Sequence, residues 1–272
     1  MSNDIMNLQL WQIGAAYVFI ALLLVIVRKR GIGREREILI ASIRMTLQLV
    51  LVGYVLVYIF ESTNPLMTIL AIAVMEAFAI DNIFKRTQEK LTGRLKKIIA
   101  FSMVTGTLTS IFYFLFVVIR IYPWFNPQYF IPIAGMIIGN SMTGISLGVK
   151  GIAEGMRNKR ALMESFLMLG ATPARASREI VNSAFDSAIL PTINSMVGMG
   201  IVSLPGMMTG QILSGTSPLI ATKYQIAIML GIVGSVALSV ILFAILGYRT
   251  FFNQEDQLIH LDEQSSSNLM LI

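Results

Sequence analysis

Long apolar runs alternate with short polar or basic segments along most of the chain. Each run is close to the roughly 20 residues that a helix needs to cross the hydrocarbon core of a bilayer. The runs cover residues 8–27, 38–60, 66–84, 98–119, 130–149, 188–204 and 225–247. This pattern predicts an all-α integral membrane protein, a polytopic bundle of about seven transmembrane helices. We expect residues 1–252 to form a single transmembrane domain and residues 253–272 to form a flexible tail.

The sixth run differs from the others because glycine and proline interrupt it. The interrupting residues are Pro191, Gly198, Gly200, Pro205 and Gly206. Both residue types disfavour a continuous helix. Non-helical backbone at membrane depth persists only where protein buries it or water reaches it. The sequence therefore predicts a broken helix at this position.

Basic residues are distributed unequally between the two sides of the predicted membrane. Most of them follow the first, third and fifth runs, whereas the segments on the opposite side contain only Arg120 and Lys223. Loops rich in lysine and arginine face the cytoplasm. We therefore expect a protein of the cell membrane (plasma or inner membrane) with its N-terminus outside and its C-terminus in the cytoplasm.

The composition excludes several classes of protein. The chain is 55% hydrophobic and 13% charged, with a mean hydropathy of +0.72, which is incompatible with an ordinary soluble domain. It contains no cysteine, so disulfides and thiolate metal sites are excluded. The net charge of +6 is divided among short clusters between apolar runs. This distribution indicates contact with membrane lipid and no binding of nucleic acid.

One polar block interrupts the membrane pattern and still shows helical apolar spacing. Residues 150–187 form this block, and the segment 156–170 within it has the features of a short amphipathic helix. Gly170 is suited to end that helix in the left-handed conformation, and Pro173 discourages its continuation. Such a helix either lies on lipid headgroups or docks into a groove on a soluble partner.

Charged side chains also fall inside the predicted spans, where each costs roughly 2.5–3.5 kcal/mol on insertion scales. Arg44 and Glu76 lie at similar depths, so they can neutralise each other and fix the packing of the second and third spans. Gln48 follows Arg44 by one turn on the same helix face. Alternatively, Glu76 lines a path for cations together with Gln48, Asn140 or Asn194.

Small residues recur at four-residue spacing in the fifth run, as Gly135 with Gly139 and Gly144 with Gly148. This spacing lets helix backbones approach closely. It predicts packing within the chain or, alternatively, a seam between two copies.

The broken sixth run is followed by Met207, Met208 and Gln211. Thioethers suit soft metal ions, but methionine also serves as flexible packing, and the chain has 17 methionines. No cluster of Cys, His and carboxylate residues has metal-ligand spacing. The sequence therefore assigns no metal site.

Within the polar block, the chain resembles the permease subunits of ATP-binding-cassette (ABC) transporters. Their cytoplasmic coupling motif begins E-A-A, continues with three residues and a glycine, and ends I-x-L-P. Here Glu164-Ser-Phe166 stands at E-A-A, and Gly170 and Ile180 follow at the expected distances, although asparagine and serine replace the final leucine and proline. The resemblance implies contact with an ATPase subunit. The residues that it assigns to this contact are Glu164, Phe166, Gly170, Ala171 and Arg175.

Four further stretches extend the resemblance over about residues 8–252. They are Glu76-Ala-Phe, Gly139-Asn-Ser-Met, Leu169-Gly-Ala-Thr172 and Leu204-Pro-Gly-Met-Met-Thr-Gly-Gln-Ile-Leu213. The chain is thereby similar to the FetB family of bacterial iron-export permeases, whose relatives include the membrane half of a plant aluminium-tolerance transporter. The resemblance implies an ABC permease that exports iron or another metal ion.

Energy for such transport has to come from another protein. The sequence contains no P-loop motif, G-x-x-x-x-G-K-[ST], that would cradle ATP phosphates. We therefore expect a transport subunit and no enzyme, with ATP and Mg²⁺ on a cytoplasmic ABC ATPase and no cofactor bound by this chain. A permease homodimer with two ATPases follows as a hypothesis.

Two alternatives remain open. One is an ABC permease for a non-metal substrate, and the other is a secondary transporter driven by an ion gradient at Glu76 and the broken sixth run. For all of them, the candidate residues of the translocation path are Arg44, Gln48, Glu76, Asn140, Asn194, Met207, Met208 and Gln211.

Overall fold

The computed structural model describes residues 9–61, 64–87 and 91–259, and this part of the chain forms ten α-helices. They are α1 (Leu10–Lys29), α2 (Glu35–Glu61), α3 (Pro65–Arg86), α4 (Gly93–Tyr113), α5 (Pro127–Asn158), α6 (Arg160–Met168), α7 (Pro173–Ala176), α8 (Arg178–Gly198), α9 (Gly206–Leu213) and α10 (Pro218–Gly247). A π-helical turn, Phe114–Ile119, extends α4, and a 3₁₀ turn, Tyr248–Phe251, extends α10.

Six of the described helices are long and apolar enough to cross a membrane. They are α1, α2, α3, α4 with its extension, α5, and α10 with its extension. The prediction of an all-α, multi-pass membrane protein is therefore confirmed. The predicted sixth span, residues 188–204, is not among these helices, so the count of seven is not confirmed.

Side-chain caps fix where three of the long helices begin. Asn64 accepts a hydrogen bond from the Leu66 amide at the start of α3. Thr92 does the same for the Leu95 amide in α4, and Asn126 for the Gln128 amide in α5. These bonds satisfy amides that have no partner inside the helix. Proline at the first position of α3 and α5 adds a preset helical φ angle.

The core of the molecule surrounds α5. This helix packs against α3, α4, α8 and α10, and α10 also packs along α4 and α8. Ile133, Ile137, Ile145 and Ile152 of α5 are almost completely buried. They are spaced 4, 8 and 7 residues apart, which places them on one side of the helix. α5 is therefore the central element of the bundle.

Glycine allows α5 and α8 to approach closely. A Cβ atom added at Gly151 would lie 3.0 Å from Ala184 Cβ and 3.1 Å from Ala184 Cα, and one at Gly148 would contact Ala188. Gly155 faces Ile180 in the same way. Packing within the chain, the first interpretation of the glycine pattern, is thus observed at Gly148, and the pattern continues beyond the residues recognised in the sequence.

The contacts also give the directions of the helices. From Gly148 to Gly155 along α5, the contacts on α8 run backwards from Ala188 to Ile180, so α8 is antiparallel to α5. From Ser141 to Gly148, the contacts on α10 run forwards from Ser235 to Phe243, so α10 is parallel to α5. The chain therefore returns along the bundle between α5 and α10, through α8 and α9.

This return is interrupted, as predicted. α8 ends at Gly198, residues 199–205 form turns, and α9 begins at Gly206. Gly200 has a positive φ of 85°, which glycine adopts without strain. The Met199 thioether accepts a hydrogen bond from Gln225 Nε2 at 3.7 Å, which ties the turn to α10. Pro191, by contrast, lies inside α8 and does not break it.

The first two helices lie at the edge of the molecule. α1 and α2 pack on each other, and the hydroxyls of Tyr17 and Thr46 form a hydrogen bond between them. Only Val27, Ser42 and Ile59 of these two helices are buried. Nearly all of their apolar side chains are therefore left for lipid or another chain to cover.

The chain beyond α10 differs from the predicted flexible tail over residues 253–259. The Asn253 amide donates to Gln257 O and the Ile259 amide donates to Phe251 O, both at 2.9 Å, so this segment folds back. Leu258 packs against the core because the buried Phe252 leaves an apolar surface beside it. The rest of the predicted tail, residues 260–272, lies outside the described residues.

Candidate functional site

A compact segment with two short helices links α5 to α8. It comprises residues 159–177, including α6 and α7, and we call it the knuckle. The helix predicted at 156–170 is shorter in the structure, since α5 continues to Asn158 and α6 begins at Arg160. The predicted left-handed end at Gly170 is confirmed by its φ of 84°. The Gly170 amide donates to Leu167 O and the Ala171 amide to Phe166 O, which satisfies carbonyls at the end of α6.

The tip of the knuckle exposes apolar side chains. Met168 is 88% exposed and Leu169 is 84% exposed, immediately before Gly170. On the other side of α6, Met163 is buried and Leu167 is partly buried against the core. The helix is thus held to the bundle by one face while its end presents an apolar surface.

A groove runs beside this tip, between α6, α7 and the start of α8. Its volume is about 380 Å³, and Phe166 and Arg175 line it. Both residues were assigned to the ATPase contact by the sequence. Glu164, a third member of that set, accepts a hydrogen bond from Arg160 Nε at 2.8 Å and holds the first turn of α6. Ala171 lies in the turn after Gly170.

The knuckle is braced against the bundle at several points. Lys159, its first residue, forms a solvent-exposed ion pair of 2.5 Å with Glu179 at the start of α8. Pro173 and Ala176 of α7 are buried, and α7 packs against the 3₁₀ turn after α10. A displacement of the knuckle would therefore act on α5, α8 and the end of α10 together.

The outward face of α8 is mixed, because polar side chains alternate with the exposed apolar residues Leu190, Ile193 and Val197. Its buried face consists of Ile180, Ala184, Ala188 and Thr192. Its exposed polar residues, which we call the α8 polar face, are Asn182, Ser183, Asp186, Ser187, Asn194 and Ser195. Ser187 and Ser195 donate to the carbonyls of Ser183 and Pro191 at 2.9 and 3.0 Å. Bare hydrocarbon is a poor environment for these polar side chains, which favours contact with protein, water or a solute.

The structure replaces the predicted pair of Arg44 and Glu76 with two separate contacts. Glu76 is buried and accepts a hydrogen bond from the Thr107 hydroxyl of α4, and its Oε2 atom has no partner among the described residues. Arg44 is exposed and lies over the Phe78 ring, 5.3 Å from its centre. The pair does not form because α2 packs mainly on α1 rather than along α3.

The other path residues do not converge on one cavity. Gln48 is exposed on α2, whereas Met207, Met208 and Gln211 lie partly buried on α9. Asn140 and Asn194 are exposed on the neighbouring helices α5 and α8. Counting about 1.5 Å per residue from the contact of Gly148 with Ala188 places Asn140 about 12 Å and Asn194 about 9 Å along the bundle in the same direction. These two asparagines therefore lie at similar depth.

Comparison with known proteins gives the family. The UPF0014 family model, whose description is "Uncharacterised protein family", matches residues 10–252. The chain belongs to this family. No solved structure matches the chain.

Relatives of this UPF0014 chain include one protein that is named as a probable permease. The probable iron export permease protein FetB of Escherichia coli is 32% identical over 244 residues, 90% of this chain and 92% of the relative. The protein ALUMINUM SENSITIVE 3 of Arabidopsis thaliana is 35% identical over 90% of this chain and 88% of the relative. A UPF0014 membrane protein of Synechocystis is 36% identical over 92% and 94%. The resemblance seen in the sequence is confirmed.

Sequence reasoning missed two features of the UPF0014 site. The first is the tip formed by Met168 and Leu169, which apolar spacing alone does not separate from the face of α6 that rests on the bundle. The second is the α8 polar face, because residues 178–187 were read as part of a polar block outside the bundle. The recurrence of Ser183, Ser187 and Asn194 at helical spacing beside small residues was the available signal. Among the described residues, no group of three or more His, Cys, Asp or Glu could hold a metal ion.

Proposed function

We propose that this chain is the membrane-spanning permease subunit of an ABC transporter that exports iron or another metal ion. ATP is hydrolysed by a separate cytoplasmic ATPase. The observation that carries the proposal is the knuckle, which presents Met168 and Leu169 to solvent while the buried Met163, Pro173 and Ala176 anchor it to the bundle. Homology to the probable iron export permease FetB supports the substrate class.

The knuckle is suited to receive force from a partner. It joins α5 directly to α8, so a push on its tip reaches the two helices that pack through the glycine positions. The apolar tip fits a hydrophobic pocket on the ATPase, and the groove beside it offers Arg175 for an acidic side chain. Movement of the ATPases on nucleotide binding then shifts α8 relative to the bundle.

Two copies of the chain form the complete permease in this proposal. The α8 polar face of each copy faces that of the other, and Asn194, Ser187 and Asp186 line the path between them. Asn140 of α5 contributes at the depth of Asn194. This arrangement keeps lipid away from the polar side chains of α8, which no described residue of the same chain covers.

The topology of the proposal has seven crossings with the N-terminus outside. α8 and α9 together form the sixth, broken crossing, since α5 and α10 run in the same direction and the chain has to return between them. Broken backbone is tolerated there because it faces the path or is covered by protein. The knuckle then lies in the cytoplasm.

Transport by purified components tests this function. We expect proteoliposomes that contain this chain and its ATPase to move a metal ion only when Mg²⁺ and ATP are supplied. Iron, manganese, cobalt and copper are compared under identical conditions. Transport without any ATPase would overturn the proposal, and ATP-driven transport of organic solutes alone would overturn the metal assignment.

A second function is favoured by one observation. Glu76 is buried with an unpartnered Oε2 atom, as a carboxylate that exchanges a proton or cation would be. This is the feature expected of a secondary transporter. Liposomes containing this chain alone and an imposed pH or sodium gradient distinguish the two functions. Gradient-driven uptake that Glu76→Gln abolishes would establish the second one.

The apolar tip gives a direct test of the partner contact. Replacing Met168 and Leu169 by serine removes two side chains that a hydrophobic pocket would bury, at about 1.5–3 kcal/mol for each one fully buried. We expect the Kd for the ATPase to rise at least thirty-fold, measured by binding of the purified ATPase to the chain in nanodiscs. Ile201→Ser with Val202→Ser is the matched control, because these residues are equally exposed but lie between α8 and α9. Equal affinity in both variants would contradict the assignment.

A further inference from the structure

Basic side chains from three separate segments meet in one cavity. Arg34 precedes α2, Arg86 ends α3, and Lys150 and Arg157 belong to the last three turns of α5. All four line a cavity of about 610 Å³, which we call the basic cavity. This volume falls in the roughly 300–1,000 Å³ range of ligand pockets.

Basic side chains outnumber acidic ones among the described residues that line the basic cavity. Four of these residues are cations and one, Glu154, is a carboxylate, a difference of +3, and Arg157 also has an interaction of its own. Glu154 lies 3.8 Å from Lys150, and Glu37 lies 3.7 Å from Arg34 just outside the lining. Both ion pairs are long and solvent-exposed, so each contributes little. The side chain of Arg86 makes no hydrogen bond or ion pair with any described residue.

The position of the cavity limits what can fill it. It opens at the end of the bundle where α3 and α5 end and α2 begins, which is the end that lysine and arginine assign to the cytoplasm. The hydroxyl-bearing Ser146 and Thr143 lie deeper along the same face of α5, about one and two turns respectively towards the membrane from Lys150. The cations lie near the opening of the cavity, and the hydroxyl groups lie deeper. This arrangement suits a ligand that enters from the interface between membrane and water.

We propose that the basic cavity binds the phosphate group of an anionic phospholipid headgroup, with the acyl chains lying along the exposed surface of α2 and α3. Arginine forks recognise phosphate oxygens in pairs, and lysine acts as a point charge. Basic pockets between transmembrane helices on the cytoplasmic side are suited to anionic headgroups. The bound lipid also joins the loosely attached α2 to the central bundle, because Arg34 and Arg86 then contact one anion.

This lipid site is independent of the transport function. The cavity shares no lining residue with the groove of the knuckle or with the α8 polar face. The experiment below therefore measures lipid binding alone.

Binding of phosphatidylglycerol to the full-length, delipidated chain tests the proposal. Arg86→Gln with Lys150→Gln removes two cations of the cavity, and Arg94→Gln with Lys97→Gln removes two exposed cations of α4 that lie outside it. Each basic side chain near an anionic headgroup is worth about five-fold in affinity. We expect the first variant to bind phosphatidylglycerol about twenty-five-fold more weakly by native mass spectrometry, and the control to stay within about two-fold of the unmodified chain.

Two further arms identify the source of the phosphate. Phosphatidylcholine, which has no net charge, is expected to bind the unmodified chain and the cavity variant equally. Inorganic phosphate is expected to displace phosphatidylglycerol only at concentrations far above those of the lipid. Equal loss of phosphatidylglycerol in the two double variants would overturn the site, and displacement by inorganic phosphate at matched concentration would overturn the assignment to lipid. Size-exclusion profiles show that each variant is folded.

Discussion

At the scale of single residues, Gly170 sets the shape of the contact surface. Its φ of 84° lies in the left-handed region, and no atom lies within 4 Å of a Cβ built at this position. The requirement for glycine is therefore conformational, not steric. A β-branched residue here costs about 1–2 kcal/mol and favours unwinding of the end of α6.

Replacing Gly170 by valine is expected to uncouple transport from ATP hydrolysis. We expect ATP-driven transport to fall about ten-fold or more, while insertion into the membrane is unchanged, because the end of α6 no longer presents Met168 and Leu169. Gly170→Asn, which tolerates the left-handed conformation, is expected to retain most activity. Gly93→Val is the control, since Gly93 begins α4 and also has no atom within 4 Å of a built Cβ. Full transport by Gly170→Val would count against the role of the knuckle.

Thr107 is expected to stabilise the molecule through its buried bond to Glu76. Thr107→Val keeps the shape of the side chain but leaves both carboxylate oxygens without a partner, at a cost of about 1–3 kcal/mol. We expect the Tm in detergent to fall by several degrees, whereas Thr107→Ser restores it. Identical melting of the valine and serine variants would show that the hydroxyl contributes nothing.

Residue-level predictions succeeded where the cause was local. The left-handed end at Gly170 follows from a helical run, a glycine and a nearby proline, all within about twelve residues. The pairing of Arg44 with Glu76 failed because it assumed that consecutive spans pack side by side. The depth of a residue in the membrane can be estimated from its position along a predicted span. The direction in which its side chain points, and the helix that it meets, depend on how the whole bundle packs.

At the scale of elements, the interface of α5 with α8 depends on very small side chains. Gly151 leaves no room for a side chain, since a Cβ there would meet both the backbone and the side chain of Ala184. α8 packs against most of the second half of α5, from Gly148 to Gly155.

Gly151→Leu is expected to force these two helices apart. Overpacking of this kind costs about 1–3 kcal/mol or more, so we expect a clearly lower Tm and loss of transport. Gly139→Leu on the same helix is the matched control, because nothing lies within 4 Å of a Cβ at Gly139. Thermal unfolding monitored by size-exclusion chromatography compares the two. An equal effect of both changes would mean that helix propensity, and not the contact with α8, is responsible.

Element-level prediction was good for uninterrupted apolar runs and weaker for α8. The break between α8 and α9 was expected from Gly198, Gly200 and Pro205, and it occurs there. The first half of α8 was assigned to the polar block outside the membrane, because Arg178, Glu179 and Asp186 make it polar. Such a helix looks soluble in sequence, and only its packing on glycines of α5 shows that it belongs to the bundle.

At the scale of the whole molecule, the α8 polar face is the surface expected between two copies. The chain contains no cysteine, so an introduced one reports on a single position. We expect Ser187→Cys to form a disulfide-linked dimer on mild oxidation in membranes, because Cα atoms within about 7 Å can be bridged. Leu47→Cys, which is exposed on α2, is the control and is expected to remain monomeric. Cross-linking of the control alone would place the dimer seam on α2 instead.

The class of the protein was predictable, whereas the arrangement of its copies was not. Run length, hydropathy and the glutamate-to-glycine spacing of the knuckle were enough to predict a multi-pass membrane protein related to permeases. The assembly depends on which faces remain uncovered after folding. That property emerges only when α5, α8 and α10 are placed together.

The hairpin of α1 and α2 has a practical consequence. Few of its side chains are buried in the protein. The position of the hairpin beside α3 and α5 therefore depends mostly on the surrounding lipid and little on contacts with the rest of the polypeptide. Because detergent replaces lipid only imperfectly, we expect α1 and α2 to detach in micelles at a lower temperature than that at which α3 to α10 unfold.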